Sequence, residues 1–224
     1  MLLHGHSGCK EDHLPVAERL CAAGLRCLLV DLPAHGTSPI KFATFGRIES
    51  TIPREVLLGA AQTFGFSPQP AVLFGVSQGG AIALLAAHLD PTMWAAVAEI
   101  SAFASLDRVI DHKARGVFGP LGSMFAGAIN GLVKSRASFH PSEIRPLDVV
   151  RALHIPVLVG HGEEDTLVTL DHAEEIFRAA PGPGKDYLLI KKAGHSDVFV
   201  TNAPVYKAIA KFLLGAIQRP SISK

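Results

Sequence analysis

A serine in a glycine-flanked turn has the setting in this chain that most suggests chemistry. Ser77 lies in Gly75-Val76-Ser77-Gln78-Gly79, between an apolar run from Ala71 and a helix-forming run through Ala87. Strand, tight turn and helix in this order are typical of a nucleophile elbow, where flanking glycines avoid collisions with the neighbouring strand or helix. The Ser77 hydroxyl and the Gln78 N–H would then point to the same side, at the positive end of the helix dipole. Ordinary strand–helix packing uses similar turns, so the pentapeptide alone leaves both interpretations open.

Apolar runs that alternate with helical patterns supply the elements that would hold this turn. The predicted strands are residues 1–3, 27–32, 71–75, 93–100, 155–160 and 186–190, and the predicted helices are 11–23, 52–64, 170–180 and 205–217, with another helix directly after Ser77. Short continuous apolar runs are typical of strands buried on both faces of a parallel sheet. The predicted fold is therefore α/β, with a doubly wound, mostly parallel sheet in a single domain over residues 1–224.

Composition and charge exclude several classes of protein. The 224 residues are 48% hydrophobic, and 21 basic residues against 20 acidic ones give a net charge of +1, which predicts no attraction to nucleic acid or to an anionic membrane surface. Cys9, Cys21 and Cys27 are odd in number and fit no metal-binding spacing. This cysteine pattern favours a reduced, cytoplasmic protein, and no signal peptide is visible at Met1. Because no H-x-H or H-E-x-x-H spacing occurs, we expect no metal.

Five motifs occur in an order that resembles the α/β-hydrolase family. They are H-G-x-x-G at residues 4–8, D-x-x-x-x-G-x-S at 31–38, G-x-S-x-G at 75–79, H-G-x-x-D at 161–165 and G-H at 194–195. The resemblance covers nearly the whole chain, and each motif follows a predicted strand. It implies that the reactive groups lie on loops at the carboxyl ends of the strands, where ligands bind in open α/β sheets.

The resemblance implies an acid and a base for Ser77. Asp165 matches the acid, which would accept a hydrogen bond from a histidine Nδ1–H and fix its tautomer. Asp107 stays open as an alternative, because some family members carry the acid after the preceding strand. His195 matches the base: of the 11 histidines it alone follows the last predicted strand. The chain order Ser, Asp, His agrees with the family pattern.

The resemblance also assigns an oxyanion hole, and the positions of three other histidines predict roles near it. The backbone N–H groups of His6 and Gln78 match the two donors that would hold the oxyanion. His4 and His161 each precede a glycine at a strand end, where we expect them to hold loop backbone by hydrogen bonds. His35, in the loop after Asp31, is a candidate to line the site.

Residues 101–146 interrupt the regular alternation at the place where the family inserts a lid. Residues 116–133 carry no charge, a length that raises the question of a membrane helix, but five glycines, Pro120, Ser123 and Asn130 interrupt it. We therefore expect a small helical, glycine-broken apolar lid and no stable membrane insertion. Its pocket would suit an acyl chain, and the side chains expected to roof it are Phe103, Phe118, Leu121, Met124 and Phe125.

The expected activity is hydrolysis of small apolar carboxylic esters through an acyl-enzyme, with no cofactor. Thioesters, lactones, amides and the C–C bonds of diketones stay open, because one triad serves all of them. A non-catalytic binding protein of the same fold is the alternative of a different class. Its usual mark is a lost triad member, and Ser77, Asp165 and His195 are all present.

The beginning of the chain suggests a prediction about assembly. Family members usually carry two more strands before the first one here, and these would cover the edge formed by Cys27–Leu32. An open apolar edge is a liability that proteins normally cover or pair. Either the natural chain starts earlier, or a second copy covers this edge by symmetric pairing; the latter predicts a homodimer.

Overall fold

Six parallel strands form one sheet in the computed structural model, which describes residues 1–199 and 203–218. The strands are β1 (Leu2–Leu3), β2 (Leu29–Val30), β3 (Ala71–Val76), β4 (Trp94–Ile100), β5 (Val157–Gly162) and β6 (Asp186–Ile190). Their spatial order is β2-β1-β3-β4-β5-β6, and every neighbouring pair is parallel. The order of strands along the chain reverses between β1 and β3, and a crevice at such a switch point is where open α/β sheets bind ligands.

Helices cover both faces of this sheet. They are α1 (Leu14–Ala22), α2 (Ile52–Phe64), α3 (Gln78–Leu89), α4 (Leu106–Phe118), α5 (Gly122–Ala137), α6 (Pro146–Val150), α7 (Leu170–Ala179) and α8 (Ala203–Gln218). Apolar side chains of α1 and α8 share one core cluster with β3 and β4, whereas those of α2, α3, α6 and α7 share the cluster on the other face. The predicted doubly wound α/β sheet is confirmed.

The edge strand is much shorter than its apolar run. The prediction was a strand over residues 27–32, but only Leu29 and Val30 pair, with Leu2 and Leu3 of β1. The ladder stops there because β1 itself offers two residues for pairing. The prediction of a long edge strand is therefore wrong, although β2 does lie at the edge of the sheet.

Residues 101–146 contain a helical hairpin made of α4 and α5. The chain reverses in a turn at residues 119–121, where Gly119 has φ of 57°. Gly122 then packs so closely that a Cβ there would lie 2.3 Å from the Cα of Arg115. By length and composition the stretch Leu106–Ala137 resembles a membrane span. Its helices of 13 and 16 residues are each shorter than the roughly 20 residues that a crossing requires.

The hairpin is broken at fewer places than its glycines predict. Only the turn at Gly119 interrupts it, and α5 runs as a continuous helix through Gly127, Asn130 and Gly131. Glycine inside a helix costs about 1 kcal/mol relative to alanine. A Cβ at Gly127 or Gly131 would meet nothing within 4 Å, so packing does not require glycine at either position.

Candidate active site

The turn between β3 and α3 holds Ser77 in a strained backbone conformation. Ser77 has φ of 53° and ψ of −117°, a combination that side chains disfavour. A Cβ on Gly75 would lie 2.2 Å from the carbonyl oxygen of Gly79, and one on Gly79 would lie 2.1 Å from the carbonyl oxygen of Leu3. Both glycines are therefore required, because the strand, the turn and the helix pass too close for any side chain.

The structure brings Ser77, His195 and Asp165 into one chain of hydrogen bonds. The Nε2 atom of His195 lies 2.9 Å from the Oγ atom of Ser77. On the other side of the ring, Nδ1 lies 2.7 Å from Oδ2 of Asp165. With the carboxylate accepting from Nδ1–H, Nε2 carries the lone pair and can accept the serine proton.

Asp165 is held in place by backbone donors as well as by His195. Its Oδ1 atom accepts hydrogen bonds of 2.9 Å from the N–H groups of Leu167 and Val168. Burial alone would raise the pKa of Asp165, but the hydrogen bonds from His195 and from the backbone outweigh it, so the pKa lies below its ordinary value. The carboxylate thus stays ionised at neutral pH, as an orienting acid must.

The loops that carry the acid and the base are fastened to each other. The N–H of Glu164 donates to the carbonyl oxygen of Ala193 at 2.9 Å, and that of Glu163 donates to Ile190 at 2.9 Å. A Cβ on Gly162 would lie 2.5 Å from the carbonyl oxygen of Ala193. The close contact explains the glycine after His161 and keeps Asp165 and His195 at a fixed separation.

Asp107 lies elsewhere. It is the second residue of α4, where it accepts a hydrogen bond from the Ser105 hydroxyl. It also lines a polar groove between the hairpin and α7, together with Asp111 and Asn130. The geometry therefore favours Asp165 over Asp107 as the acid.

The two N–H groups predicted as oxyanion donors belong to residues that line the cavity beside Ser77. Gln78 is the first residue of α3, so its N–H has no acceptor within the helix. Among the described residues, the N–H of His6 makes none of the loop hydrogen bonds. The two residues also contact each other, because His6 Nδ1 lies 3.1 Å from Gln78 Oε1. That contact orients the loop after β1 toward the elbow.

His35 supports this loop instead of lining the pocket, so its predicted role as a substrate-binding residue is wrong. It is buried, its Nδ1 donates to the carbonyl oxygen of Pro33 at 2.7 Å, and its Nε2 accepts from the N–H of Ser7 at 3.0 Å. His4 joins the same two loops through Leu32 N–H at 3.0 Å, as expected of a structural histidine. Both ring nitrogens of His35 are thereby occupied by backbone.

A largely apolar cavity of about 530 Å³ opens above Ser77. Besides Ser77, Gln78 and His6, its lining comes from the loops after β2, β4 and β5, from the hairpin and from the segment that follows the hairpin. These residues are Ala43, Phe45, Phe103, Leu106, Val109, Ile110, Lys113, Leu132, Val133, Arg136, Ala137, Phe139, Pro141, Leu167 and Val168. Phe103 lies where it was predicted.

Phe118, Met124 and Phe125 do not line the cavity, and neither does Leu121, so these predicted pocket residues are corrected. They lie near the turn of the hairpin, where Met124 is 64% exposed and the ring of Phe118 stacks on that of Phe125 with centroids 4.1 Å apart. The proximal half of the hairpin, away from the turn at residues 119–121, lines the cavity, and its distal half, next to that turn, does not.

The hairpin residues that do line the cavity carried a signal in the sequence. Leu106, Val109, Ile110 and Lys113 follow the i, i+3, i+4, i+7 spacing of one helix face. This spacing predicts a shared face, and α4 places all four on the cavity. The remaining missed residue of note is Phe45, whose ring lies 5.2 Å from that of His6. A loop position such as Phe45 has no periodicity by which it could be found.

A buried carboxyl group lies beneath the elbow. Glu99 is fully buried on β4, beside Gly75 of β3, and its Oε2 accepts a 2.9 Å hydrogen bond from Ala102 N–H. Burial raises the pKa of Glu99 to about 8. The same desolvation lowers the pKa of His161, whose Nε2 donates to Val168 at 2.8 Å. Both shifts favour the neutral form of the side chain.

Within residues 1–199 and 203–218, no three His, Cys, Asp or Glu side chains are grouped so as to hold a metal ion. The candidate reactive groups at the cavity are Ser77, the His195 ring that contacts it, and the backbone N–H groups of His6 and Gln78. They can supply a nucleophile, a base and two oxyanion donors.

Comparisons with known proteins agree with this architecture. The model of the alpha/beta hydrolase family matches residues 1–208. The uncharacterized protein YfhR of Escherichia coli O157:H7 is 26% identical over 217 residues, or 96% of this chain and 69% of YfhR. The Pyrococcus furiosus esterase PF2001 superposes with a TM-score of 0.75 at 20% identity, over 96% of this chain and 81% of the esterase. The Paleococcus ferrophilus monoacylglycerol lipase superposes with a TM-score of 0.68 at 19% identity, over 96% of this chain and 93% of the lipase. At such identities the two structures are evidence for the fold.

Proposed function

The chain belongs to the alpha/beta hydrolase family, and on that premise we propose that it is a serine hydrolase that cleaves carboxylic esters. One observation carries the proposal. Asp165, His195 and Ser77 are joined by hydrogen bonds of 2.7 and 2.9 Å, and they end at a cavity with mostly apolar walls. A serine whose proton can pass to an oriented histidine is the arrangement that activates a hydroxyl for acyl transfer.

The proposed reaction has two halves. Ser77 Oγ attacks the ester carbonyl while His195 Nε2 takes its proton, and the N–H groups of His6 and Gln78 stabilise the oxyanion. His195 then returns the proton to the leaving alcohol, which leaves an acyl-enzyme. Water, activated by the same histidine, attacks this acyl-enzyme and releases the acid. Asp165 orients the ring and stabilises the imidazolium in both halves.

The walls of the cavity support an apolar acyl group of modest size as the substrate. Leu106, Ile110 and Phe103 are three of its apolar lining residues. Hydrophobic walls with a few polar groups at one end are typical of small-molecule sites. The names of the two solved structures, an esterase and a monoacylglycerol lipase, agree with an ester substrate. In this proposal the hairpin of α4 and α5 acts as the lid of the site.

The test is a panel of p-nitrophenyl esters with acyl chains of increasing length. We expect kcat/KM to rise about fourfold with each added CH₂ until the cavity is filled, because burying a CH₂ contributes about 0.8 kcal/mol. Ser77→Ala should abolish turnover at every length. The panel includes a thioester and a lactone, which the same triad would accept. The proposal would be refuted if Ser77→Ala still turned over substrate, or if the wild type hydrolysed none of the substrates.

A further inference from the structure

One face of α4 continues from the cavity out to the tip of the hairpin. Leu106, Ile110 and Lys113 line the cavity at helical spacing, and Val117 is the next position on the same face. Val117 lies outside the cavity and is 74% exposed. The apolar wall of the site thus extends beyond the body of the protein.

An apolar stripe on α5 also continues from the cavity toward the tip of the hairpin. Leu132 lines the cavity, and the stripe that contains it runs back at intervals of three or four residues through Ile129, Phe125 and Leu121, with Met124 at its margin. All of these are exposed, Leu121 by 60%. The stripe spans about 16 Å of helix at 1.5 Å per residue. Contiguous apolar surface of this kind marks an interaction site.

The charges near this surface are of one sign. Lys113 of α4 and Arg136 of α5 lie on the stripes, and among the described residues neither belongs to an ion pair. The acids of α4, Asp107 and Asp111, line the polar groove on the other side of the hairpin. The exposed face therefore combines a row of apolar side chains with cations and no carboxylate.

We propose that this hairpin face docks onto the surface of an anionic lipid membrane. Leu121, Met124 and Phe125 enter the boundary between headgroups and acyl chains, and Lys113 and Arg136 reach lipid phosphates. The net charge of +1 predicted no such attraction. The local distribution of charge nevertheless favours attraction at this face, because the acidic residues that balance the total charge lie on other surfaces. Docking in this orientation brings the mouth of the cavity to the lipid.

A second copy of the chain fits this face less well. Two-fold pairing would place the same face on both partners, so two Lys113 and two Arg136 side chains would share one interface. No carboxylate of the stripes is available to neutralise them. Like charges that are desolvated together oppose association.

The test is co-sedimentation of the whole chain with vesicles of phosphatidylcholine, with and without phosphatidylglycerol. We expect stronger binding to the anionic vesicles and a decrease with added salt. The double variant Leu121→Glu, Met124→Glu should lower the partition coefficient more than about tenfold. The matched control is the double variant Phe64→Glu, Leu89→Glu, which adds the same charge at exposed apolar positions at the ends of α2 and α3 and should leave binding unchanged.

The cations are tested separately. Lys113→Gln and Arg136→Gln should each weaken binding to anionic vesicles about fivefold, and Lys207→Gln on α8 should not. Leu121→Trp should show a blue-shifted emission on vesicles. Ser77→Ala should bind like the wild type, so failure of the proposed hydrolysis leaves this proposal standing. The proposal is overturned if the wild type does not bind vesicles or if the double variant binds as well as the wild type. It is also overturned if the wild type is a dimer that the double variant loses, because a second copy would then be the occupant of this face.

Discussion

Ser77 occupies a backbone conformation that few serines adopt, and its neighbours impose it. With φ of 53°, the residue turns the chain sharply between β3 and α3. Such strain costs of the order of 1–3 kcal/mol and persists only where the surroundings determine it. Here Gly75 and Gly79 let the strand, the turn and the helix approach each other closely, because any Cβ at these positions would collide with a backbone carbonyl oxygen. This strained conformation places the Ser77 hydroxyl oxygen 2.9 Å from Nε2 of His195.

The identity of the acid gives the first prediction at this scale. Asp165→Asn should lower kcat by about 10⁴-fold, because the amide stabilises the wrong tautomer of His195. Asp107→Asn is the matched control, since it removes a carboxylate that contacts Ser105. It should retain activity. Steady-state kinetics of both purified variants decide the matter, and comparable mild losses in the two would contradict the triad as proposed.

Glu99 gives a prediction about pH and stability. Its pKa is about 8 in the folded protein against an ordinary 4.5, so between these values the folded state holds a proton that the unfolded state has lost. The free energy of unfolding should therefore fall as pH rises through this window, by up to about 1.4 kcal/mol per unit, and level off above it.

Urea unfolding at several pH values measures this slope. Glu99→Gln should remove it, because an amide does not titrate, and the variant should gain on the wild type as pH rises from 5 toward about 8. Glu55→Gln, at an exposed position of α2, serves as the control and should keep the wild-type slope. Parallel pH profiles for wild type and Glu99→Gln would show that Glu99 ionises normally.

At the scale of elements, the hairpin shows what a sequence pattern can and cannot predict. The motifs around Ser77, Asp165 and His195 were predictable because each follows an apolar strand, and parallel strands bring their carboxyl ends to one edge. Phe118 and Met124 were misplaced because composition records that a segment is apolar and says nothing of where it turns. The reversal of the chain at Gly119 decides which part of this apolar segment lies at the cavity and which part lies at the tip of the hairpin.

His35 was misplaced for a different reason. A histidine in a loop near the site has the same appearance in the sequence whether it faces substrate or backbone. Hydrogen bonds to Pro33 and Ser7 decide the matter, and both depend on how the loops after β1 and β2 meet. The spacing of Leu106, Ile110 and Lys113, by contrast, was available in the sequence as one face of a helix.

This corrected pocket makes a prediction of its own. Ile110→Glu should raise KM for p-nitrophenyl esters about tenfold or more with little change in kcat, because it removes binding shared by ground state and transition state. Met124→Glu, also on the hairpin, should leave both constants unchanged with these soluble substrates. The reverse result would mean that the distal half of the hairpin covers the site in solution.

At the scale of the whole molecule, the edge of the sheet bears on assembly. β2 is the outermost strand and pairs on one side only, through Leu29 and Val30. The homodimer through Cys27–Leu32 stays a prediction, as does the cytoplasmic location. Light scattering should give twice the monomer mass for the wild type and the monomer mass for Leu29→Lys. A wild-type monomer at micromolar concentration would contradict it.

Modification of Ser77 by a fluorophosphonate, followed by intact mass and peptide mapping, tests the central claim most directly. The reagent reacts with a serine only where a base and an oxyanion hole activate it. We predict one adduct, located on Ser77, absent in Ser77→Ala and formed at least about 10³-fold more slowly in His195→Ala. A folded wild type that forms no adduct, or one whose adduct survives in Ser77→Ala, would contradict the assignment of Ser77 as the nucleophile.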